Sequence, residues 1–185
     1  MDKETLLLKK VGQRDQAAFR QLYKMFSAKV YNTALSYAQS TPDAEEITQD
    51  VFVKIHRSAG KFRGNSSVNT WIYRIAVNAS LDFLKKKKRL SIFQLSHTPK
   101  EKLDFEHPGV LLENKEKSKM LFKVIDTLPE TQKTAFILSF IEELPRQEVA
   151  DIMQTSLKAV ESLLQRAKGN LRKRLAKEYP HRRKK

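Results

Sequence analysis

Apolar residues recur at intervals of three and four along most of this 185-residue chain, and this spacing constrains its fold more than any other feature. In the first long segment the pattern joins Phe19, Leu22, Phe26 and Val30, which one face of an α-helix brings together. Strand-like alternation is nowhere sustained, and only five glycines and six prolines interrupt the chain. We therefore predict an all-α protein.

The helical pattern fails once, between residues 90 and 110, where Ser, His, Pro and charged residues intervene. On either side we predict a small helical domain, the first a helical bundle and the second a four-helix domain that contains a helix-turn-helix. The predicted boundaries are a first domain over 1–89, a flexible linker over 90–110, a second domain over 111–178 and a basic tail over 179–185. The predicted helices include residues 42–59, with Thr41 as the N-cap, and residues 68–87.

The formal net charge of +15 is concentrated in two short blocks. Residues 85–89 (KKKKR) supply five positive charges, and residues 166–185 contain ten basic residues and one acid, so the two blocks account for fourteen of the fifteen. Contacts from Lys and Arg to phosphates dominate nucleic-acid affinity through counterion release. DNA or RNA is therefore the first expected partner, and solvated or disordered runs of like charge are the alternative.

The chain contains no cysteine, which excludes disulfides, cysteine-ligated zinc, iron–sulfur clusters and a thiol nucleophile. No apolar run approaches the roughly 20 residues of a membrane-spanning helix, and the three-leucine run at residues 6–8 is too short for a signal peptide core. We therefore expect no cofactor, no metal site and no direct insertion into a membrane.

Residues 145–168 (PRQEVADIMQTSLKAVESLLQRAK) have the pattern of a helix-turn-helix. A small residue, Ala150, stands where the two helices must approach closely, and the expected shared core is Val149, Ile152, Met153, Val160 and Leu164. Ser156 can cap the second helix, whose outer side presents Glu161, Ser162, Gln165 and Arg166. Helix pairs also occur in proteins that never contact DNA, but the basic block that continues from this helix favours a DNA reader.

The amino-terminal half combines an acidic helix face with an aromatic, amide-rich and basic stretch. Asp43, Glu46, Asp50 and Arg57 lie opposite the apolar stripe of their helix, with Val53 among them. This face is either a protein interface or a solvated surface. The stretch that follows, residues 61–89, offers planar groups, amides and cations, which single-stranded nucleic acid requires. The best candidates for contact are Phe62, Asn65, Tyr73, Arg74 and Asn78, whereas Trp71 and Ile75 are expected in the core.

Three stretches occur in a characteristic order and spacing: DAEEITQDVFVKIHRS, TWIYRIAVNASLDFLKKKKR and LPETQKTAFILSFIEELPRQEVADIMQTSLKAVESLLQRAK. With them the chain resembles the extracytoplasmic-function (ECF) group of bacterial sigma factors. The resemblance implies a non-enzymatic alternative sigma factor that binds core RNA polymerase and directs promoter-specific transcription initiation. It implies a first domain that opens the minus-ten element and reads it as a single strand, and a second domain that reads the minus-thirty-five element as duplex. The resemblance also implies a cytoplasmic protein that an anti-sigma factor holds inactive. The membrane is one site at which an anti-sigma factor can hold it.

The resemblance further assigns residues to each task. The minus-ten reader is assigned to Lys61, Phe62, Arg63, Asn65, Ser66, Ser67, Asn69, Thr70, Tyr73, Arg74, Asn78, Lys85 and Lys86. The minus-thirty-five reader is assigned to Ser156, Lys158, Glu161, Ser162, Gln165, Arg166 and Lys168. The polymerase-binding surface is assigned to Asp43, Glu46, Gln49, Asp50 and Val53.

Two other functions compete with this interpretation. A stand-alone helix-turn-helix regulator would bind duplex DNA tightly without polymerase, but it leaves the acidic face and the aromatic loop unexplained. A metal-dependent nuclease could hold Mg²⁺ with Asp43, Glu46 and Asp50. The sequence offers that nuclease no base, because its four histidines are scattered.

Overall fold

The computed structural model describes residues 2–93 and 115–178, and throughout these two ranges the regular elements are helices without a single strand. This confirms the predicted all-α class. Contacts within the chain divide it into two compact units, of which residues 2–93 and 115–178 are the described parts. No helix in these ranges is long and apolar enough to cross a membrane.

The described part of the first unit, residues 2–93, contains four α-helices and one short 3₁₀ turn. They are α1 (Lys3–Gly12), α2 (Gln16–Ala38), α3 (Thr41–Ser58), the 3₁₀ turn (Ala59–Lys61) and α4 (Val68–Phe93). Helix α2 is central, since it packs against α1, α3 and α4. The apolar stripe predicted for α3 is fully buried, with Ala44, Ile47, Val51 and Ile55 at most 1% exposed. Each large side chain of this kind contributes about 1.5–3 kcal/mol through burial.

Side-chain caps fix the starts of the first three helices. The oxygens of Asp2, Asp15 and Ser40 accept hydrogen bonds from the backbone N–H groups three residues later. The prediction of Thr41 as the cap of α3 is wrong by one residue, because Thr41 already has helical geometry and Ser40 caps the helix from an extended conformation. Pro42 still falls within the first turn, where its missing N–H has no intrahelical acceptor to lose.

Helix α1 ends in very close contact with the 3₁₀ turn. A Cβ atom added to Gly12 would lie 2.9 Å from both the Cα and the N of Gly60, which is closer than real side chains approach backbone atoms. A Cβ atom added to Gly60 would lie 3.7 Å from the Gly12 oxygen, an ordinary contact distance. The close approach therefore requires glycine at Gly12 but not at Gly60.

Helix α4 continues to Phe93 instead of ending at Lys87 as predicted. Residues 85–93 consist mostly of Lys, Arg and Leu, which favour helices, and they contain neither Gly nor Pro. The helix therefore extends into the stretch predicted as a linker from residue 90. The rest of that predicted linker and the predicted tail over 179–185 lie outside the described residues.

The second unit contains α5 (Lys115–Ile125), α6 (Glu130–Phe136), a π-helical turn (Ile137–Ile141), α7 (Arg146–Met153) and α8 (Leu157–Glu178). Its core includes Phe122, Ile125, Leu138, Val149 and Val160, all fully buried. Polar contacts also join parts of this unit: Lys133 Nζ lies 2.5 Å from Asp126 Oδ1, just after α5, and Asn170 Nδ2 donates to Gln132 Oε1 at 2.9 Å. Helices α7 and α8, joined by a short turn, form the helix pair predicted over residues 145–168, and α8 continues to Glu178.

The turn between α7 and α8 places Gln154 in the left-handed region, with φ 53° and ψ 46°. A residue with a Cβ pays about 1–2 kcal/mol in this conformation, whereas glycine adopts it freely.

Gln154→Gly is therefore expected to raise the free energy of unfolding of the second unit by about 0.5–1 kcal/mol, after subtracting the entropic cost of a more flexible unfolded chain. Thermal unfolding should detect this as a rise of a few degrees in Tm. Gln154→Ala is the matched control, because alanine keeps the Cβ and gains nothing. Equal stability of the Gly and Ala variants would contradict the assignment of strain to this turn.

Candidate functional site

The outer face of α8 presents the predicted duplex-reading residues to solvent. Ser156 caps the helix, since its Oγ accepts from the Ala159 N–H at 3.2 Å. The side chains of Lys158, Glu161, Ser162, Gln165 and Arg166 are all exposed. Beneath them Val160, Leu164, Ala167 and Leu171 are buried. The structure thus brings these polar residues together on one surface of a firmly packed helix.

Two of these side chains make local contacts. Arg166 Nε donates to the Ser162 carbonyl oxygen at 3.3 Å, and Arg146 Nη1 lies 3.9 Å from Glu161 Oε1. Lys168 differs from the rest of the predicted set, because its Nζ lies 4.6 Å above the centre of the Phe140 ring. This cation–π contact directs Lys168 toward the π-helical turn rather than toward the face that carries Ser162 and Arg166.

The loop at residues 61–67 is exposed but held at both ends. Near its start, the half-buried Phe62 ring packs edge-on against Trp71, with ring centres 5.5 Å apart. At its end, Ser67 caps α4: its Oγ accepts from the Thr70 N–H at 3.0 Å and lies 2.9 Å from Thr70 Oγ1. Between these anchors, Lys61, Arg63 and Asn65 are exposed and Ser66 is half-buried.

The residues of α4 that the sequence assigns to the minus-ten reader differ in exposure. Asn78, Lys85 and Lys86 are exposed, and Asn69 and Arg74 are half-buried. Thr70 and Tyr73 are buried, with only 4% and 5% of their surface exposed. Trp71 and Ile75, which the sequence places in the core, are half-buried.

Sequence reasoning missed Lys29, a residue of α2 that lies beside the start of α4. Its Nζ donates to Asn69 Oδ1 at 3.0 Å and lies 5.7 Å from the centre of the Phe26 ring. The two hydrogen-bonded residues are 40 positions apart. No local pattern could connect them, because only the packing of α2 against α4 brings them together.

On α3 the structure separates Asp43 from the other predicted polymerase-binding residues. Glu46, Gln49, Asp50 and Val53 are exposed, and we call these four residues the acidic surface. Asp43 instead accepts a hydrogen bond from Lys87 at 2.5 Å, and its side chain is only 15% exposed. Asp43 therefore connects α3 to the basic block at the end of α4.

Within residues 2–93 and 115–178, no group of three or more His, Asp or Glu side chains could hold a metal ion. Asp43, Glu46 and Asp50 thus do not form the magnesium site that the nuclease alternative requires.

Two family models match the chain, one for each unit. The model described as sigma-70 region 2 matches residues 22–90, and the model described as sigma-70, region 4 matches residues 118–171.

Relatives with established names match over almost the whole chain. The RNA polymerase sigma-H factor of Pseudomonas aeruginosa is 28% identical, with 94% of each chain covered. The ECF RNA polymerase sigma-E factor of Escherichia coli (strain K12) is 30% identical over 89% of this chain and 90% of its own.

Two solved structures have a similar fold. CnrH, solved in complex with the cytosolic domain of CnrY, gives a TM-score of 0.68 at 20% identity and covers 94% of this chain and 97% of its own. The sigma factor RpoE of Bartonella quintana, solved with the anti-sigma factor NepR, gives a TM-score of 0.63 at 18% identity and covers 84% of this chain and 94% of its own.

Proposed function

Since this chain belongs to the ECF group of sigma factors, alternative sigma factors that direct transcription initiation by RNA polymerase, we propose that each of its units reads one promoter element. One observation supports this division most strongly: a partly exposed polar face on α4 and an exposed polar face on α8 each lead into a block of Lys and Arg. Each proposed reader thereby has its own phosphate anchor. The proposed domains are residues 1–89 and 111–178, with 90–110 as the connection.

We assign minus-ten recognition to the loop at residues 61–67 and the start of α4. Phe62 offers a ring on which an unstacked base can lie, and Asn65, Asn69 and Asn78 offer amides for base edges. Extruding a base costs a few kcal/mol, which these contacts must offset. Because Thr70 and Tyr73 are buried, we assign them to holding this surface in place. We assign Ser66 and Ser67 to the shape of the loop. The contacts to phosphates are assigned to the cations of this surface: Lys61, Arg63, Arg74, Lys85 and Lys86.

We assign minus-thirty-five recognition to α8, which enters the major groove with its exposed face. Ser156, Lys158, Glu161, Ser162, Gln165 and Arg166 form this face. Lys168 lies against Phe140, so we assign it to packing within the second unit. We also assign it to contact with the DNA phosphates beside α8.

Arg166→Ala is expected to weaken binding to a promoter with its intact minus-thirty-five element by about 10- to 100-fold, because an arginine that reads a base edge contributes about 1–3 kcal/mol of discrimination. Footprinting of the polymerase complex on intact and scrambled elements measures this. Arg172→Ala is the matched control, since Arg172 is exposed farther along the same helix. If Arg166→Ala weakened binding to both promoters equally, Arg166 would contact phosphate rather than bases.

We assign docking on the polymerase clamp to the acidic surface. It combines two carboxylates, an amide and the apolar side chain of Val53, which is 47% exposed. Such a mixture suits a protein partner and repels DNA phosphates. Asp43 is assigned to holding Lys87 rather than to direct contact with polymerase.

We further propose that the chain has no catalytic activity of its own, that it works in the bacterial cytoplasm, and that an anti-sigma factor inhibits it. Sigma factors as a group are not enzymes, and RNA polymerase carries out the chemistry of transcription. Of the two similar structures, RpoE is bound to the anti-sigma factor NepR and CnrH to the cytosolic domain of CnrY. Any attachment to a membrane would then come from the partner. Pull-down of the tagged protein, followed by mass spectrometry, tests for polymerase subunits and one inhibitor.

The decisive experiment adds the purified protein to bacterial core RNA polymerase and maps transcription start sites on genomic fragments. We expect initiation at a small set of promoters that share a minus-ten and a minus-thirty-five sequence. Failure to gain specific initiation would contradict the proposal. Tight, sequence-specific duplex binding without polymerase would favour the stand-alone regulator instead.

A further inference from the structure

Asp43, in the first turn of α3, is joined to the basic block of α4 by an ion pair. Lys87 Nζ lies 2.5 Å from Asp43 Oδ2, a short charge-assisted hydrogen bond between residues 44 positions apart. Ser40 caps the same turn of α3, since its Oγ accepts from the Asp43 N–H at 3.5 Å. The carboxylate therefore belongs to a well-fixed helix end, whereas the Lys87 side chain is 57% exposed.

The part of α4 that contains the basic block is not held by burial. Every side chain from residue 85 to residue 91 is exposed, whereas Tyr73, Ala76 and Ser80 on the same helix are buried. The block also places like charges three and four residues apart, where they repel one another on a helix. The carboxylate of Asp43 supplies this stretch with an opposite charge and with a contact to α3.

Helical periodicity determines what the ion pair does to the other cations of the block. Lys87 follows the buried Ser80 by seven residues, or two turns, so it continues the inner side of α4. Lys85 and Arg89 each stand two residues from Lys87, a rotation of about 200°, so they lie on the outer side. Asn78, which we assign to minus-ten recognition, is exposed on that outer side, seven residues before Lys85.

Arg89 is the better placed of these two cations to bind a phosphate. Asp82 is exposed on the same side of α4, three residues before Lys85 and seven before Arg89. Seven residues of helix span about 10 Å, close to the Debye length at ordinary salt, so Asp82 offsets the charge of Arg89 the less. Arg89 Nε donates to the Lys85 carbonyl oxygen at 3.4 Å, and a guanidinium group has further N–H donors that match phosphate geometry.

We propose that Asp43 is a positioning residue for promoter binding: through Lys87 it holds the end of α4 so that Arg89, together with Lys85, contacts DNA phosphates beside the minus-ten reader. This inference rests on the proposed function, because it takes the outer side of α4 to face the promoter. It adds Arg89 to the DNA contacts and gives an acidic residue a role in binding a polyanion.

The test uses the sign of the charge. Removing an acid strengthens DNA binding if net charge alone matters, whereas losing a positioning contact weakens it. The complex of each variant with core polymerase is titrated onto promoter DNA over a range of salt concentrations. We expect Asp43→Asn to weaken promoter binding by about two- to fivefold, the range that ion pairs at a protein surface reach.

Further variants separate positioning from other effects. Glu45→Gln removes the same charge from an exposed position of α3 and should not weaken binding. Arg89→Ala should weaken binding and reduce its salt dependence by about one phosphate contact. Asp43→Asn should weaken binding less in the Arg89→Ala background than alone, because Asp43 acts through the end of α4. Asp43→Glu keeps the carboxylate and should retain most of the affinity.

Unchanged or stronger promoter binding by Asp43→Asn would overturn the proposal, as would additive effects of Asp43→Asn and Arg89→Ala. If Asp43→Asn lowered the affinity for core polymerase while the assembled complex bound promoters normally, Asp43 would belong to the docking surface instead.

Hydrogen exchange of the free protein tests the positioning without polymerase. The amides of residues 85–89 should exchange faster in Asp43→Asn than in the wild type, and equal rates would contradict the proposal. If exchange changes as expected but the wild-type chain gives no specific initiation, the proposed function fails while the hold of Asp43 on α4 stands.

Discussion

Reversing both Glu46 and Asp50 to lysine is expected to abolish promoter-directed transcription by lowering the affinity for core RNA polymerase about 100-fold. Loss of one partner of a charge pair that is buried in a protein interface costs about 2–5 kcal/mol, and about 3 kcal/mol corresponds to a factor of roughly 100. Both side chains are exposed, so the reversal should change the free energy of unfolding by no more than about 0.5 kcal/mol. Titration of labelled protein with core polymerase measures the affinity directly.

The control for this prediction is the pair Glu45→Lys and Asp82→Lys, which makes the same change in net charge at exposed positions outside the acidic surface. We expect this control protein to bind polymerase nearly as well as the wild type. The reversal should also leave binding of the isolated protein to duplex DNA undiminished, because it adds positive charge. Equal losses of polymerase binding in both double variants would show a general effect of charge and contradict the docking assignment.

Gly12→Ala is expected to lower the free energy of unfolding of the first unit by about 2 kcal/mol. The new methyl group would lie 2.9 Å from two backbone atoms of Gly60, which cannot rotate away as a side chain could. Forcing such a shift costs about 1–3 kcal/mol, more than the helix propensity gained by replacing glycine. Hydrogen exchange of the buried amides in α1 and α3 measures the stability of this unit separately.

Two other glycines make the Gly12 prediction specific. Gly60→Ala should have almost no effect, since its methyl group would make only an ordinary contact at 3.7 Å. Gly169→Ala, within α8, has nothing within 4 Å and should stabilise the second unit by about 0.5–1 kcal/mol. A stabilising effect of Gly12→Ala would show that the two backbones separate easily.

Local periodicity made most of the helical architecture predictable. The stripe from Ala44 to Ile55 is buried as its spacing indicates, and the core of the helix-turn-helix includes Val149 and Val160 as predicted. The membership of the chain in the ECF sigma factor family is likewise confirmed: its motifs lie within the two matched sigma-70 regions, and an ECF sigma-E factor is 30% identical over 89% of the chain. These features depend on residues close together in the chain, where spacing alone determines which face is apolar.

Contacts between distant residues were not predictable in the same way. Lys29 meets Asn69, and Asp43 meets Lys87, across 40 and 44 positions. Sequence spacing places Asp43 on the outer side of α3 but says nothing of the cation that the end of α4 brings to it. The same limit applies to the burial of Tyr73, which depends on the neighbouring helices. The roles of individual residues in DNA and polymerase binding therefore stay predictions.

The edge-on contact between Phe62 and Trp71 gives the molecule an intrinsic optical probe. Trp71 is the only tryptophan in the chain, and its ring centre lies 5.5 Å from that of a loop residue. Indole emission shifts to longer wavelength when its surroundings become wetter and falls in intensity when a nucleobase stacks nearby. Tryptophan fluorescence of the unlabelled protein therefore reports on the surroundings of Trp71 and Phe62, so entry of a DNA strand beside them could be followed in real time without attaching a dye.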